Sequence, residues 1–271
     1  MRHLKTYRVF ESQGVTLDSK QTEWLDWVCS SGWQMGEDGR VNVLGDVDLA
    51  KGQGRGQGST HLRYVDLGDG YTRQINFRGV RFGMVSGTFN CSRMMLEDLD
   101  GCPHTVGVDF LAWDNHIVNL KGGPRKVRKN YDVNDCRIES LEGCPDEVGG
   151  TFILDNNILH NLEGITPTFT GWLHIDGNKL VSLEGLKKCK GITCYDNTVS
   201  TETLYLIFDF IQEYPEMGYG AILASLQSRI SQEDWEKLDK SSLDKMNQTR
   251  KKVYGMLGGI GGWTRKGKKD L

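Results

Sequence analysis

The sequence predicts a solenoid of short parallel β-strands with a period of about 21 residues, closed by an α+β segment before it and by helices after it. Three observations carry this prediction. Residues 85–189 divide into five similar units of 21 residues, two apolar columns in each unit alternate as in a β-strand, and the period stops at Ser200, where helical spacing begins. Repeats of this kind bury a core only by stacking on one another.

The repeat is defined by columns of identical or similar residues. The units begin at Val85, Val106, Val127, Val148 and Phe169, and a shortened sixth unit, KGITCYDNTVS, begins at Lys190. Column 15 is always leucine: Leu99, Leu120, Leu141, Leu162 and Leu183. Column 17 is always glycine, at Gly101, Gly122, Gly143, Gly164 and Gly185. We expect a turn with positive φ at this glycine, because no other residue adopts that conformation as easily.

A polar residue recurs inside the apolar pattern. Columns 5, 7 and 12 are apolar in all five units, and column 10 is asparagine at Asn115, Asn157, Asn178 and, in the shortened sixth unit, Asn197. Met94 and Cys136 replace it in two units. The pattern apolar-x-apolar-x-x-Asn-x-apolar is that of a leucine-rich repeat, in which we expect the asparagine to point inward and pair the backbone of the neighbouring turn. The predicted fold is therefore a leucine-rich-repeat-type solenoid with one short strand per unit.

Two segments also carry a resemblance to a known family. FNCSRMMLEDLDGCPHTVG and SLEGCPDEVGG resemble the units of leucine-rich-repeat-like proteins of unassigned function encoded by large tailed bacteriophages, which run G-x-F-x-C-x-x-N-x-L-x-S-L-E-G-C-P-x-x-V-G. DGRVNVLGDVDLAKG is similar to the strand-rich segment that precedes the repeats in such proteins. The resemblance covers roughly residues 33–200. It implies a fold and a phage origin, but no shared chemistry.

The sequence divides into three parts. Residues 1–80 are predicted to form an N-terminal cap with a short helix over 19–32, begun by Asp18 or Ser19, then short strands around Gly45 and a glycine-rich insertion at 51–74. Residues 81–200 form the solenoid of five to six units. Residues 201–271 form a helical C-terminal cap, or a small helical domain of its own, with a basic tail.

Helix signals in the third part are specific. Ser200 or Thr201 is the expected cap of a helix whose Leu204, Ile207, Phe208 and Ile211 have the spacing i, i+3, i+4, i+7. Ser231 and Asp234 have the spacing of a capping box for a later helix.

Composition limits the class of protein. The formal net charge is −3, no apolar run approaches the length of a membrane span, and the first residues lack the apolar stretch of a secretory signal. The cysteines number seven, with no C-x-x-C pair, which favours free thiols in a reducing compartment. We therefore expect a cytoplasmic protein without a membrane partner, located in the host cytoplasm if it is phage-encoded.

Signatures of catalysis are absent from the sequence. The histidines lack zinc-ligand spacing, no G-x-S-x-G occurs, and GQGRGQG lacks the spacing of a phosphate-binding loop. The repeat places Cys91, Cys102, Cys144 and Cys194 in core or turn positions, which we favour over a nucleophilic role. We expect a protein that is not an enzyme, with no cofactor and no metal.

The outward side of the predicted sheet contains the candidate site. Columns 5 and 7 point inward, so columns 4, 6 and 8 point outward. Aromatic and acidic side chains among these columns predict a partner-binding surface. The candidate residues are Leu111, Trp113, Asp132, Ile153, Asp155, Trp172, His174, Asp176 and Tyr195. The alternative is that the insertion or the helical part covers this face.

A series of aspartates accompanies the candidate surface. Its members are Asp114, Asp135, Asp155, Asp176 and Asp196, one for each of five successive units. Stacked strands lie about 4.8 Å apart, so these carboxylates attract a cation or a basic partner, or else are solvated or accept hydrogen bonds from loop N–H groups.

The predicted partner is a protein with a basic surface, a host protein if the phage resemblance holds. Two further functions remain open. The basic residues Arg265, Lys266, Lys268 and Lys269 could contact nucleic acid, although a solvated terminus explains them as well, and a structural role in the virion is the other alternative.

Overall fold

The computed structural model describes residues 16–50, 75–166 and 171–260. These residues form a β-solenoid of parallel strands with a 21-residue period, preceded by one helix and followed by four. The first part comprises α1 (Ser19–Val28), β1 (Trp33–Met35), β2 (Val41–Val43), β3 (Val47–Asp48) and a 3₁₀ helix (Ile75–Gly79). The solenoid continues with β4 (Phe82–Val85), β5 (Phe89–Asn90), β6 (Thr105–Val106), β7 (Phe110–Leu111), β8 (Lys126–Val127), β9 (Tyr131–Asp132), β10 (Glu147–Val148), β11 (Phe152–Ile153), β12 (Trp172–His174) and β13 (Gly191–Thr193). The helices α2 (Thr201–Glu213), α3 (Tyr219–Leu226), α4 (Gln232–Lys237) and α5 (Ser241–Ile260) follow.

Two sheets run along the solenoid, not one. The first sheet has the order β13-β12-β11-β9-β7-β5-β3 and the second has the order β1-β2-β4-β6-β8-β10. The prediction of one strand per unit is therefore wrong. The second strand forms at column 1, where Val106 pairs with Val127 and Val127 pairs with Val148. β-Branched residues favour extended backbone, and the copy 21 residues away supplies the hydrogen-bonding partner.

The repeat columns form a continuous core. Columns 5, 7, 12 and 15 are buried in the described turns, as predicted. The column 5 rings follow one another through the core, with centroid separations of 6.0 Å between Phe89 and Phe110, 4.7 Å between Phe110 and Tyr131, and 5.1 Å between Tyr131 and Phe152. The cysteines of columns 7, 10 and 18 are buried among them. Burial raises the pKa of Cys136 and of Cys144 to about 12, so both thiols stay protonated and unreactive at neutral pH.

The inward asparagine at column 10 is confirmed. Asn157 Oδ1 accepts a hydrogen bond from Ile138 N in the preceding turn at 2.9 Å. Its Nδ2 donates to Val133 O in the preceding turn at 3.0 Å and to Leu154 O in its own turn at 2.9 Å. Asn115, Asn178 and Asn197 repeat these contacts. Asn115, Asn157 and Asn178 thus pair backbone groups inside the core, and Asn197 does the same in a partly buried position.

Left-handed residues make the corners of each turn. The column 17 glycines have φ between 81° and 98°, as predicted. A second left-handed position, at column 9, was not predicted. It is occupied by Arg93, Asp114, Asp135, Asn156, Gly177 and Asp196, with φ between 50° and 63°. Aspartate, asparagine and glycine tolerate this region better than other residues, so part of the predicted acidic series serves the backbone turn.

The N-terminal helix begins as predicted but ends earlier. Asp18 is the N-cap, and its side chain forms a capping box with Gln21. Helix α1 ends at Val28, not near residue 32, because Cys29 is extended and forms an antiparallel bridge with Val47. Tertiary pairing with β3 thus ends the helix before its glycine.

Helix α2 lies against the last turns of the solenoid. It begins at Thr201 with Ser200 as N-cap, and Leu204, Ile207, Phe208 and Ile211 are buried as predicted. The Tyr205 hydroxyl donates to Ile192 O at 3.3 Å. Gln212 donates to Lys187 O and accepts from Cys189 N. The helix therefore covers apolar side chains and also pairs backbone groups at this end.

Asp234 connects two helices instead of completing a capping box. Ser231 Oγ accepts from Asp234 N at 3.1 Å, as the predicted cap requires. The Asp234 carboxylate, however, accepts from Ser200 N, Ser200 Oγ and Thr203 Oγ at the start of α2. Burial raises the pKa of Asp234, but hydrogen bonds from Ser200 and Thr203 outweigh it, and the pKa lies below its usual value.

We expect Leu141→Ala to lower the free energy of unfolding by about 2–5 kcal/mol, because it leaves a cavity in the middle of the stacked core. Chemical denaturation monitored by circular dichroism measures the change. Glu139→Ala, two residues away and exposed, is the matched control. Equal midpoints for the two variants would contradict the buried leucine column.

We expect Asn157→Ala to cost about 2 kcal/mol or more, because it removes the side-chain partners of Ile138 N and Val133 O in the core. The same denaturation experiment measures it. Asn161→Ala removes an asparagine that caps one exposed turn through Glu163 N, and should cost less than half as much. A smaller loss for Asn157→Ala than for Asn161→Ala would refute the role of the ladder.

Candidate binding face

The outward side chains of the first sheet form one continuous surface, which we call the acidic face. It consists of the residues at columns 4, 6 and 8 of the turns from β3 to β13: Asp46, Asp48, Ala50, Thr88, Asn90, Ser92, Asp109, Leu111, Trp113, Asn130, Asp132, Asn134, Thr151, Ile153, Asp155, Trp172, His174, Asp176, Gly191, Thr193 and Tyr195. All nine candidate residues lie on it. Equivalent columns are in register between neighbouring strands, so the structure brings together residues that are far apart in sequence.

Two aromatic side chains are exposed at the C-terminal end of this face. Trp172 is 42% exposed and Tyr195 is 54% exposed. The Trp172 indole lies over Gly191 of the next turn, where an added Cβ would be 2.6 Å from the ring. The Trp172 indole can lie here because Gly191 has no side chain. The ring of Tyr195 lies 6.5 Å from that of Tyr205 on α2, in an edge-on arrangement.

Tyr205 was not among the predicted site residues. It lies between the buried positions Leu204 and Ile207 and is itself half-buried. The helical spacing of α2 does not predict a contact between Tyr205 and the sheet. Only the docking of α2 on the last turn places Tyr205 beside Tyr195.

Trp113 is differently placed from the other aromatic candidates. It is half-buried, and the Arg93 guanidinium carbon lies 4.5 Å from the centre of its ring. Arg93 Nε is also 3.5 Å from an Asp114 carboxylate oxygen. The Arg93 guanidinium thus covers one side of the Trp113 ring. The adjacent Ser92, predicted to face solvent, is only 1% exposed, and its small side chain stands beside Trp113 at the same column of the next turn.

Several aspartates of this face use one carboxylate oxygen to accept a hydrogen bond from a backbone N–H group of the next turn. Asp155 Oδ1 accepts from Asp176 N at 2.8 Å, and Asp176 Oδ1 accepts from Tyr195 N at 2.7 Å. Asp46 and Asp109 make the same contact to the next turn at column 4. The sequence left open whether these carboxylates attract a cation or accept hydrogen bonds from backbone N–H groups, and Asp155 and Asp176 do accept such bonds. Accepting these bonds does not remove their charge.

The face carries negative charge, and no lysine or arginine occupies its columns, although the Arg93 guanidinium of column 9 lies over Trp113. Its charged residues in the described turns, apart from His174, are six aspartates: Asp46, Asp48, Asp109, Asp132, Asp155 and Asp176. Burial raises the pKa of Asp132 and of Asp155, and neighbouring carboxylates raise both further. His174 Nδ1 lies 3.9 Å from Asp155 Oδ2. Partly desolvated carboxylates in a file attract a cationic group strongly.

Three basic residues of unit 2 are paired on another surface. Unit 2 has the sequence KGGPRK where unit 3 has EGCPDE, and three ion pairs join them. They are Lys121–Glu142 at 2.8 Å, Arg125–Asp146 at 2.7 Å and Lys126–Glu147 at 2.7 Å. These exposed pairs contribute little stability each, and they hold three cations away from the acidic face.

The remaining candidate features give no second site. A polar pocket beside Asp234 is lined by Glu202, Arg229 and Lys237, and both oxygens of the Asp234 carboxylate in it already accept hydrogen bonds from the start of α2. Within the described ranges, no group of three His, Cys, Asp or Glu side chains could hold a metal, and no helix is both long and apolar enough to span a membrane. The insertion at 51–74 and the tail at 265–269 lie outside the described residues.

Comparison of the chain with protein-family models, with characterised proteins and with solved structures gives no match. The functional argument therefore depends on the geometry and charge of the acidic face.

Asp234→Asn should lower stability at neutral pH, whereas Asp155→Asn should not. Asp155 has a raised pKa, so its charged form opposes folding, and asparagine keeps the acceptor for Asp176 N. We expect an unchanged or higher melting temperature. Asp234 has a lowered pKa and three bonds to α2, so its loss should cost about 1–3 kcal/mol.

The pH dependence should separate the same two residues. The stability that Asp234 contributes is present above the ordinary carboxyl pKa and is lost as the pH falls through its lowered value. The penalty from Asp155 exists at neutral pH and is relieved as the pH falls through its raised value. Melting curves at several pH values measure both trends. A lower melting temperature for Asp155→Asn at neutral pH would show that its charge supports the fold.

Proposed function

We propose that this protein is a non-enzymatic binding scaffold that engages a protein partner through the acidic face. One observation carries the proposal: Trp172 and Tyr195 are exposed on a rigid sheet, beside carboxylates that no lysine or arginine of the face neutralises.

The physical argument concerns what these side chains do for the isolated chain. The exposed parts of Trp172 and Tyr195 contribute nothing to burial, and the raised pKa of Asp155 means that its charge opposes folding. A partner that covers the rings and supplies cations reverses both effects. Aromatic residues buried in this way commonly contribute about 2 kcal/mol or more to binding. A sheet held by ladder hydrogen bonds also loses little entropy when it binds.

The finer identity of the fold belongs to the same proposal. We infer a leucine-rich-repeat-type solenoid, supported by the leucine column and the asparagine ladder. We infer that α1 and the first strands cap one end and that α2 to α5 cap the other. The contacts of Tyr205 and Gln212 with the last turns support the second cap. The phage origin and a host-protein partner in the host cytoplasm are supported by the motif resemblance alone.

The proposal is tested with the full chain as bait. Wild type and a Trp172→Ala/Tyr195→Ala variant are compared by affinity capture from host or infected cells with quantitative mass spectrometry. Proteins captured by wild type should fall at least about tenfold with the variant, because two hot-spot truncations together cost more than 1.4 kcal/mol. Circular dichroism confirms that the variant retains the fold.

The matched control is Met84→Ala/Tyr214→Ala, which truncates two side chains of similar exposure away from the acidic face. It should capture the same proteins as wild type. Equal capture by all three baits would exclude the acidic face as the binding surface.

A further inference from the structure

The acidic face already shows how it accommodates one cation. The Arg93 guanidinium lies over the Trp113 ring and also reaches the Asp114 carboxylate. A guanidinium can do both, because it is planar and weakly hydrated: its face stacks on an indole while its edge donates hydrogen bonds to a carboxylate. An ammonium group is a strongly hydrated point charge and stacks less well.

The second tryptophan of the face offers a similar aromatic surface without a cation. Among residues 16–50, 75–166 and 171–260, no lysine or arginine stacks on Trp172. One side of its indole rests on Gly191, and much of the ring is exposed. Asp176 follows on the outward side of the same turn, and Asp155 stands beside Asp176 one turn earlier.

The nearby carboxylates continue along the solenoid. Asp132, Asp155 and Asp176 lie in three successive turns. Asp155 and Asp176 share column 8, about 4.8 Å apart, whereas Asp132 lies at column 6, opposite Ile153 and two residues away from column 8 along the strand. Alternate side chains of an extended peptide recur at roughly 6.6 Å, so a segment with several basic residues meets more than one of these carboxylates. A partner whose cations are concentrated in a linear segment therefore complements this file.

We infer that the acidic face binds an arginine-bearing linear segment of its protein partner, with one guanidinium stacked on Trp172 and others paired with the aspartate file. The inference rests on the proposed function and adds the chemistry of the partner. Arginine is favoured over lysine only where a guanidinium stacks on an exposed indole.

The first test uses the wild-type chain and two synthetic probes. Fluorescein-labelled decapeptides of alternating Arg-Ser and alternating Lys-Ser are titrated with the full chain, and fluorescence anisotropy is measured at about 0.15 M salt. The arginine probe should bind at least about threefold more tightly than the lysine probe. Both should weaken as salt rises. Equal affinities, or tighter binding of the lysine probe, would overturn the inference without the need for any variant.

The second test locates the charges. Asp132→Asn/Asp155→Asn/Asp176→Asn keeps the hydrogen-bond acceptors of the face and should weaken both probes about tenfold or more. Glu97→Gln/Glu163→Gln/Glu216→Gln removes the same number of exposed charges elsewhere and should change little. Equal weakening in the two triple variants would reduce the effect to net charge and overturn the site.

The third test locates the stacking. Trp172→Leu should abolish the preference for arginine while leaving the lysine probe nearly unaffected. Trp172→Phe should retain part of the preference, and it gives the answer if the leucine variant does not fold. A full preference in a folded Trp172 variant would exclude this indole as the guanidinium site.

The chain's own basic tail is the competing occupant. Arg265, Lys266, Lys268 and Lys269 lie outside the described residues, and replacing all four with glutamine should leave probe affinity unchanged. Tighter binding in that variant would assign the face to the tail and overturn an external partner. Failure of both probes, together with loss of capture by the Trp172→Ala/Tyr195→Ala bait, would reject arginine chemistry and leave the binding function standing.

Discussion

The structure depends on one constraint: each turn must satisfy the backbone of the turn beside it. Strands of two to four residues cannot form a stable sheet alone, so in the middle turns their N–H and C=O groups are paired by the equivalent residues 21 positions away. The column 10 amide pairs the backbone groups that the strands leave unpaired inside the core, as Asn157 does by bonding to both its own turn and the preceding one. The shortened last unit keeps these pairings at a spacing of 19 residues, since Trp172 pairs with Gly191 and Asn197 continues the amide ladder.

The same constraint explains why units differ from one another in matched ways. Tyr131 replaces phenylalanine at column 5, and its hydroxyl occupies the space that a side chain at residue 123 would fill, since a Cβ there would lie 2.7 Å from the oxygen. The neighbouring units have Cys102 and Cys144 at that column. The basic segment of unit 2 is likewise matched by the acidic segment of unit 3. Departures from the repeat are thus accommodated by the adjacent turn.

Stacking also produces the charge of the acidic face. A column repeated every turn places identical groups about 4.8 Å apart, and for aspartate this proximity is unfavourable. Accepting backbone N–H bonds offsets part of the cost at Asp155 and Asp176, but the pKa of Asp155 remains raised. Asp234 shows the contrasting case, a carboxylate whose partners lower its pKa and which joins α4 to α2. Carboxylates that oppose folding are consistent with selection for binding.

The sequence by itself determined the period, the buried columns, the inward asparagine, the glycine corners and the start of α2, because each of these follows from local conformational preference repeated at a fixed interval. It also determined which side chains share the outward columns of the first sheet. Only the tertiary structure decided the second sheet, the early end of α1 at the Val47 bridge, the placement of Arg93 over Trp113, the position of Tyr205 beside Tyr195 and the attachment of Asp234 to α2. These features join residues whose spacing follows neither the helical nor the strand period, so they exist only once neighbouring turns and helices are packed together.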